Sequence, residues 1–247
     1  MMLHNDIVAI IQARMSSTRL PGKVLLALCD NTVLGHVVKR VSTCPFIDKV
    51  VVATTELGVD DAIVAECKRI GVDYSRGSSD DVLSRYYEAA RKFNAKNIIR
   101  VTSDCPVISG GLLTKMIAEY LDKKPDYLSN TIERTFPRGL DIEIFGFETL
   151  EKTYKNAAKD YEKEHVTPYI YQNEHEFDIL HYKDKRDNSI YRWTLDTPED
   201  LDLIERIYSY LYAENNNFEY EDILRLFKKH PELININRNI EQKKLGN

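Results

Sequence analysis

Arg14, Ser17 and Lys23 fall in one short run, Gln12-Ala13-Arg14-Met15-Ser16-Ser17-Thr18-Arg19-Leu20-Pro21-Gly22-Lys23, directly after the apolar stretch 7–11. The run combines small residues, which let a ligand approach the backbone, with hydroxyls, the guanidinium groups of Arg14 and Arg19, and the Lys23 ammonium. Donors for oxygen atoms together with compensating positive charge are what a triphosphate requires. The run is neither the GxxxxGK[ST] loop nor the GxGxxG dinucleotide turn, so the phosphate geometries of those two motifs do not apply. A basic surface loop after a strand has the same composition, and spacing alone leaves both readings open.

Two carboxylates complete the chemistry. Asp104, in Arg100-Val101-Thr102-Ser103-Asp104-Cys105-Pro106, lies just past an expected buried strand, and Asp196, in Arg192-Trp193-Thr194-Leu195-Asp196-Thr197-Pro198-Glu199-Asp200, is expected to end a strand directly before a capped helix. Carboxylates arriving from separate strand ends can hold Mg²⁺ between themselves and substrate phosphates, an arrangement that Mg²⁺ favours. The plainer readings are a turn-forming aspartate at 104 and a helix cap at 196. Thr197 already supplies the cap, with Pro198 at the first helical position and Asp200 where a capping box places an acid.

These groups meet only if the intervening elements bring strand ends together. Short β-branched runs at 7–11, 49–53 and 97–101 suit strands buried on both faces, as in a parallel sheet. Helical patterns lie between them: Val33, Val37, Val38 and Val41 form one apolar face, and Ile63, Val64, Cys67 and Ile70 another. Ser79 reads as an N-cap with Asp80 and Asp81 in the first turn, followed by the face Val82, Leu83, Tyr86, Tyr87, Ala90 and Phe93. Strand–helix alternation through about residue 125 predicts an α/β fold, an open sheet with right-handed crossovers, whose ligands sit outside the carboxyl ends of the strands. Over 130–187 the strands shorten and Tyr becomes frequent, with a strand expected at 177–181 and one helix over 161–172. This segment reads as an insertion that closes over the sheet edge or reaches another subunit. The sheet is expected to return at 191–195 and to feed a helix lined by Leu201, Ile204, Tyr208 and Leu211. A last helix over Tyr220–Lys229 precedes a polar tail, 230–247.

The balance of 34 Lys+Arg against 39 Asp+Glu gives a net charge of −5, which argues against general nucleic-acid binding, since that needs a basic stripe. With 43% hydrophobic and 30% charged residues, the 247-residue chain is expected to fold throughout, as a single domain over 1–247. No apolar run approaches the ~20 residues of a membrane helix, and no basic segment precedes 7–11 as in a secretory signal. The four cysteines form neither a CxxC pair nor a metal-binding spacing, so buried, reduced thiols in a cytoplasmic protein are expected.

RMSSTRLPGK, TSDCP, SNT…PRGLDIE, EHVTPYIY and LDTPEDL occur in this order in the chain. In these motifs, over about 7–210, the sequence resembles the spore-coat-polysaccharide-type cytidylyltransferases, and it is similar to CMP-Kdo synthetase and acylneuraminate cytidylyltransferases. The resemblance implies a GT-A-like, Rossmann-like nucleotidyltransferase fold with a mostly parallel central sheet, CTP and Mg²⁺ as reactant and cofactor, pyrophosphate as product, and a homodimer. Carried over by position, Ala13, Arg14, Ser17, Lys23, Ser103 and Asp104 would contact the nucleotide, and Asp104 and Asp196 the metal, with Arg14 and Lys23 offsetting charge on the leaving group. Arg76 occupies the region that reads the pyrimidine in the related synthetases, in a pattern that departs from theirs. Arg138, Asp141 and His165 fall where an acidic sugar-like acceptor would lie. His165 reads equally as a core histidine and Arg138 as a turn residue beside Gly139; in one helix over 161–172, His165 and Tyr169 would share a face. Two rivals remain. A GT-A glycosyltransferase would use Asp141-Ile142-Glu143 as a D-x-D-like element, and a non-catalytic nucleotide- or sugar-binding module would need no chemistry.

Overall fold

β1 (Ile7–Gln12) is apolar at every position from 7 to 11, and it lies where such a strand belongs, inside a sheet covered on both faces. In the computed structural model, which describes residues 6–242, the sheet order is β5-β4-β1-β6-β8-β7-β9. Here β4 is Lys49–Thr55, β5 Asp73–Gly77, β6 Asn97–Thr102, β7 Tyr127–Ser129, β8 Glu143–Gly146 and β9 Ile179–His181. β5, β4, β1 and β6 run parallel; β8 alone runs against its neighbours, and β9 pairs parallel with β7. The register sets Gln12 opposite Thr102, so β1 and β6 end level, and opposite Ala53, just before β4 ends, so the three strands open one crevice at their carboxyl ends.

Alternate residues of β1 serve two cores. Ile7, Ala9 and Ile11 pack beneath α1 (Val33–Val41), α4 (Gly110–Lys123), α8 (Pro198–Leu211) and α9 (Tyr220–Lys229). Val8 and Ile10 face α3 (Val82–Lys92), α5 (Phe147–Asn156), α6 (Asp160–His165) and α7 (Pro168–Gln172). α2 (Asp61–Ile70) buries Ile63 and Cys67 beside β4, and a two-stranded ribbon, β2 (Ala27–Leu28) and β3 (Asn31–Thr32), leads into α1. Cys44, Cys67 and Cys105 are buried as expected, whereas Cys29 is exposed at the ribbon turn. No helix among the described residues is long and apolar enough to cross a membrane.

Several local expectations are corrected. Asp81, not Ser79, caps α3 by accepting from the Ser84 amide at 2.8 Å; the Ser78 hydroxyl accepts from the amides of Asp80 and Asp81, which delays the helix to Val82. The helix expected over 161–172 breaks into α6 and α7, because Pro168 has no amide to donate and Val166 takes a left-handed φ of 74°. Tyr169 therefore does not share a helix with His165; its ring meets Phe177 edge-on at 6.1 Å. Residues 191–195 are extended but join no sheet. Their partners are coil: Arg192 forms an isolated bridge with Arg138, and the Leu195 amide reaches the Asp104 carbonyl at 2.8 Å. The expected strand at 177–181 is β9, beginning at 179. Of the tail, 231–235 forms a short 3-10 turn (Pro231–Asn235), and 243–247 lie outside the described residues.

Candidate active site

The loop after β1 is folded on itself. The Ser17 and Gly22 amides both donate to the Met15 carbonyl, at 2.9 and 3.0 Å, and Gly22 turns the chain with φ 69° into the 3-10 turn that carries Lys23. Buried Asp60, from the β4–α2 connection, accepts the Met15 amide at 2.7 Å and the Thr55 hydroxyl, fixing the loop from behind. The loop walls a cavity of about 280 Å³ that Ala13, Arg14, Ser17, Lys23, Ser103 and Asp104 all line. Arg14 is exposed there, and its guanidinium forms no hydrogen bond or ion pair among the described residues. Arg85 also lines this cavity, buried on α3 and donating to the Ser78 carbonyl at 2.6 Å. Arg76 does not line it: its guanidinium is spent on the Thr55 and Leu57 carbonyls and on Asp61.

Asp104 and Asp196 do converge, Asp104 from the end of β6 and Asp196 from the extended segment that pairs with coil. Lys23 sits between them, its ammonium 3.0 Å from Asp104 Oδ2, 2.5 Å from Asp196 Oδ1 and 2.8 Å from the Leu195 carbonyl. Burial opposes ionisation of Asp104, but the Lys23 charge and the hydrogen bonds from Thr102 and Lys23 prevail and hold its carboxyl at about 2. Burial likewise acts against the Lys23 ammonium, and the two carboxylates outweigh it, so its pKa is raised. Lys23 and Asp104 are thus both charged at neutral pH.

A second cavity, about 530 Å³, shares Asp104, Asp196, His165 and Gln12 with the first and extends toward β8. Arg138, Asp141 and His165 all line it. Asp141 is gripped by both terminal nitrogens of Arg134, at 2.6 and 3.2 Å, so it orients Arg134. Buried Glu143 accepts from Arg100, the Tyr127 hydroxyl and, at 2.6 Å, the Thr167 hydroxyl. Arg138 has no such partner: its guanidinium makes no ion pair among the described residues, while burial and the like charges of Arg134 and Arg192 lower its pKa. The His165 ring is half-buried with no hydrogen bond to backbone among the described residues, and burial, Arg100 and Arg14 lower its pKa. Tyr171, rather than Tyr169, supplies an aromatic wall.

Arg138 is held by its backbone. Its amide donates to the Tyr191 carbonyl at 3.2 Å and its carbonyl accepts from the Trp193 amide at 2.7 Å. Gly139 permits this closeness: its φ is 100°, and a Cβ there would lie 2.4 Å from the Trp193 carbonyl carbon. Gly139→Ala should therefore cost at least about 2 kcal/mol, from left-handed strain plus overpacking. A thermal melt lowered by several degrees, on the order of 2–4 °C per kcal/mol at this chain length, checks it.

Side chains around Arg192 and the C-terminal segment also shape the site. Buried Arg192 pairs with Asp200, at 2.9 Å through each of two nitrogens, and lies 3.4 Å from Asp196. Its remaining nitrogen donates to Gln242 at 2.7 Å, and Gln242 lines both cavities. Asn237 anchors this C-terminal strap by donating to the Arg192 carbonyl and to Asp200, at 2.9 and 2.8 Å. Arg19 reaches both Asp196, at 3.0 Å, and the Glu241 carbonyl, at 3.4 Å.

The carboxylate pair fits a hard divalent ion. Two carboxyl side chains converge on one cation-sized point beside a polar cavity, which suits Mg²⁺ completing its shell with water and phosphate. The described residues contain no group of three or more His, Cys, Asp or Glu able to form an all-protein cage.

The family model for cytidylyltransferases matches residues 8–229. The chain is 38% identical to a cytidylyltransferase of known structure from Leptospira borgpetersenii serovar Hardjo-bovis, with a TM-score of 0.90 over 97% of this chain and 99% of that one. It is 34% identical over 235 residues to the spore coat polysaccharide biosynthesis protein SpsF of Bacillus subtilis, covering 92% of this chain and 96% of the relative. A CMP:2-keto-3-deoxy-manno-octonic acid synthetase solved with CTP shares the fold, at TM-score 0.62 and 18% identity over 83% of this chain and 98% of the other. A sheet with a basic loop after β1 and a carboxylate pair converging beside it, in a chain matched along nearly its whole length, makes this chain a member of the cytidylyltransferase family.

Proposed function

We propose that the protein transfers CMP from CTP to an acidic, sugar-like acceptor with release of pyrophosphate, with Mg²⁺ as its metal, in the making of a surface polysaccharide. The observation that carries this reading is the shared floor: Asp104 and Asp196 border both cavities, one with the unpaired Arg14 and the other with the unpaired Arg138. A triphosphate in the smaller cavity would bring its α-phosphorus to the carboxylates, facing an acceptor in the larger one. An acceptor oxygen then attacks in line, forming its bond to the α-phosphorus as the bond to the bridging oxygen of pyrophosphate breaks. Such transfer depends on positioning and charge stabilisation, so no nucleophilic side chain is required. Mg²⁺, when bound, supplies charge neutralisation at the α-phosphate. Arg14 meets the charge on the departing pyrophosphate, and Arg138 orients the acceptor by its anionic group.

The glycosyltransferase reading is disfavoured by the same side chains. Asp141 and Glu143, the acids of its D-x-D-like element, are engaged by Arg134 and Arg100. Pyrophosphate release measured with each of the common nucleoside triphosphates, Mg²⁺ and a panel of acidic sugars tests the proposal. Release that requires both CTP and one acidic sugar is expected. Consumption of a nucleotide sugar without pyrophosphate release would identify a glycosyltransferase, and binding without turnover a sensing module.

A further inference from the structure

We propose that Lys23 holds the seat of the divalent cation in the free protein, so that the ion enters only with a triphosphate that draws the ammonium away. This rests on the reading of Asp104 and Asp196 as metal ligands and adds an order to it. An ammonium has three protons to donate. Here the three go to Asp104 Oδ2, Asp196 Oδ1 and the Leu195 carbonyl, at 3.0, 2.5 and 2.8 Å. The other carboxylate oxygens are engaged too: Asp104 Oδ1 accepts from the Thr102 hydroxyl at 2.5 Å, and Asp196 Oδ2 from Arg19 at 3.0 Å and Arg192 at 3.4 Å. An ion bridging the two acids would have to lie against the oxygens that Lys23 occupies. Two cations at hydrogen-bond distance from the same oxygens repel strongly in a partly desolvated site.

The arrangement can be undone from the nucleotide side. Lys23 and Arg19 both belong to the loop that walls the smaller cavity, and both line that cavity. The Lys23 ammonium rides on a flexible four-carbon stem, so it can be re-aimed without moving its backbone. A triphosphate carries more negative charge than the two carboxylates and would arrive on the side where Arg14 is unpaired. Drawing Lys23 and Arg19 to phosphate oxygens leaves Asp104 Oδ2 and both Asp196 oxygens with fewer donors at the moment when the ion, carried by the nucleotide, can use them. Lys23 is then a positioning residue for the ion before it is a contact for the phosphates.

The test measures Mn²⁺ binding to the full chain by the paramagnetic resonance signal of free Mn²⁺, without nucleotide and with the non-reacting α,β-methylene analogue of CTP, against the analogue alone. Wild type should bind Mn²⁺ weakly without nucleotide and at least about tenfold more tightly with the analogue. Lys23→Gln, which keeps a donor for the Leu195 carbonyl, and Lys23→Met should bind Mn²⁺ without nucleotide at least about tenfold more tightly than wild type, because two carboxylates are left without their cation. Two variants guard against one failing to fold, with thermal melts as the check. Free wild type that binds Mn²⁺ as tightly as its analogue complex would overturn the proposal while leaving the metal reading intact. So would variants no tighter than wild type, since the phosphates would then be making the site. No Mn²⁺ binding in any state would overturn both.

Discussion

Asp104→Asn and Asp196→Asn should each lower kcat by about 100-fold or more, the loss that follows removal of a charge aimed at a developing transition state. Asparagine keeps the shape of the side chain, so the change isolates charge. Asp104 is bound to Lys23 and Thr102, and Asp196 to Lys23, Arg19 and Arg192, so each substitution weakens the tie between the loop after β1 and the opposite wall. Both side chains are partly solvent-exposed in an open crevice, at 23% for Asp104 and 16% for Asp196, which lets water replace part of what is lost and keeps the fold. Steady-state pyrophosphate release over a range of Mg²⁺, with a melting curve for each variant, checks the result. A folded variant with near-normal Mg²⁺-dependent turnover would remove that carboxylate from the metal site.

Asp104 was legible because its signal is local: it follows β6, and an open α/β sheet presents its ligands at strand ends. Asp196 was placed by the same argument, but the segment before it joins no sheet, and what brings it to the site is the Leu195 amide bonded to the Asp104 carbonyl. The basic loop after β1 was legible for the same reason as Asp104, and α9 and the Thr197 cap lie where their short-range patterns place them. What remained hidden depends on contacts distant in sequence. Lys23 meets Asp104 across 81 positions and Asp196 across 173, so its pairing with both acids has no signature in the loop itself. Asp60 reaches the Met15 amide across 45 positions, and Gln242 reaches Arg192 across 50. Arg134 is seven residues from Asp141, close enough to suspect, but it lies in a segment with no helical or strand period to set the two on one face. The errors have local causes as well. The alternating segment at 191–195 looks like a strand whether its neighbours are strands or coil, and only the fold reveals the latter. The single helix expected over 161–172 overlooks Pro168 inside it, which carries the contrary signal.

Arg138→Ala should lower kcat/KM for the acidic acceptor by about 10- to 150-fold, equivalent to about 1.5–3 kcal/mol for a charge-assisted hydrogen bond, and leave the affinity for CTP within about twofold. The reasoning is one of elimination among the arginines of the larger cavity. Arg100 is neutralised by Glu143 and Arg134 by Asp141, whereas Arg138 makes no ion pair among the described residues and feels Asp141 only through space. Its backbone is pinned on both sides by the 191–193 segment, so the side chain starts from a fixed root, and Arg134 and Arg192 make the unpaired charge costly until an anion arrives. A carboxylate offered by the acceptor would be met by a planar fork of donors. Arg138→Lys keeps the charge but not the fork and should fall between wild type and the alanine variant. A neutral analogue of the acceptor, lacking the carboxylate, should be a poor substrate for wild type and lose little further in Arg138→Ala. Kinetics with CTP and acceptor varied separately decide the matter: an effect confined to CTP would move Arg138 to the nucleotide side, and no effect on either would make it a structural residue of the Gly139 turn.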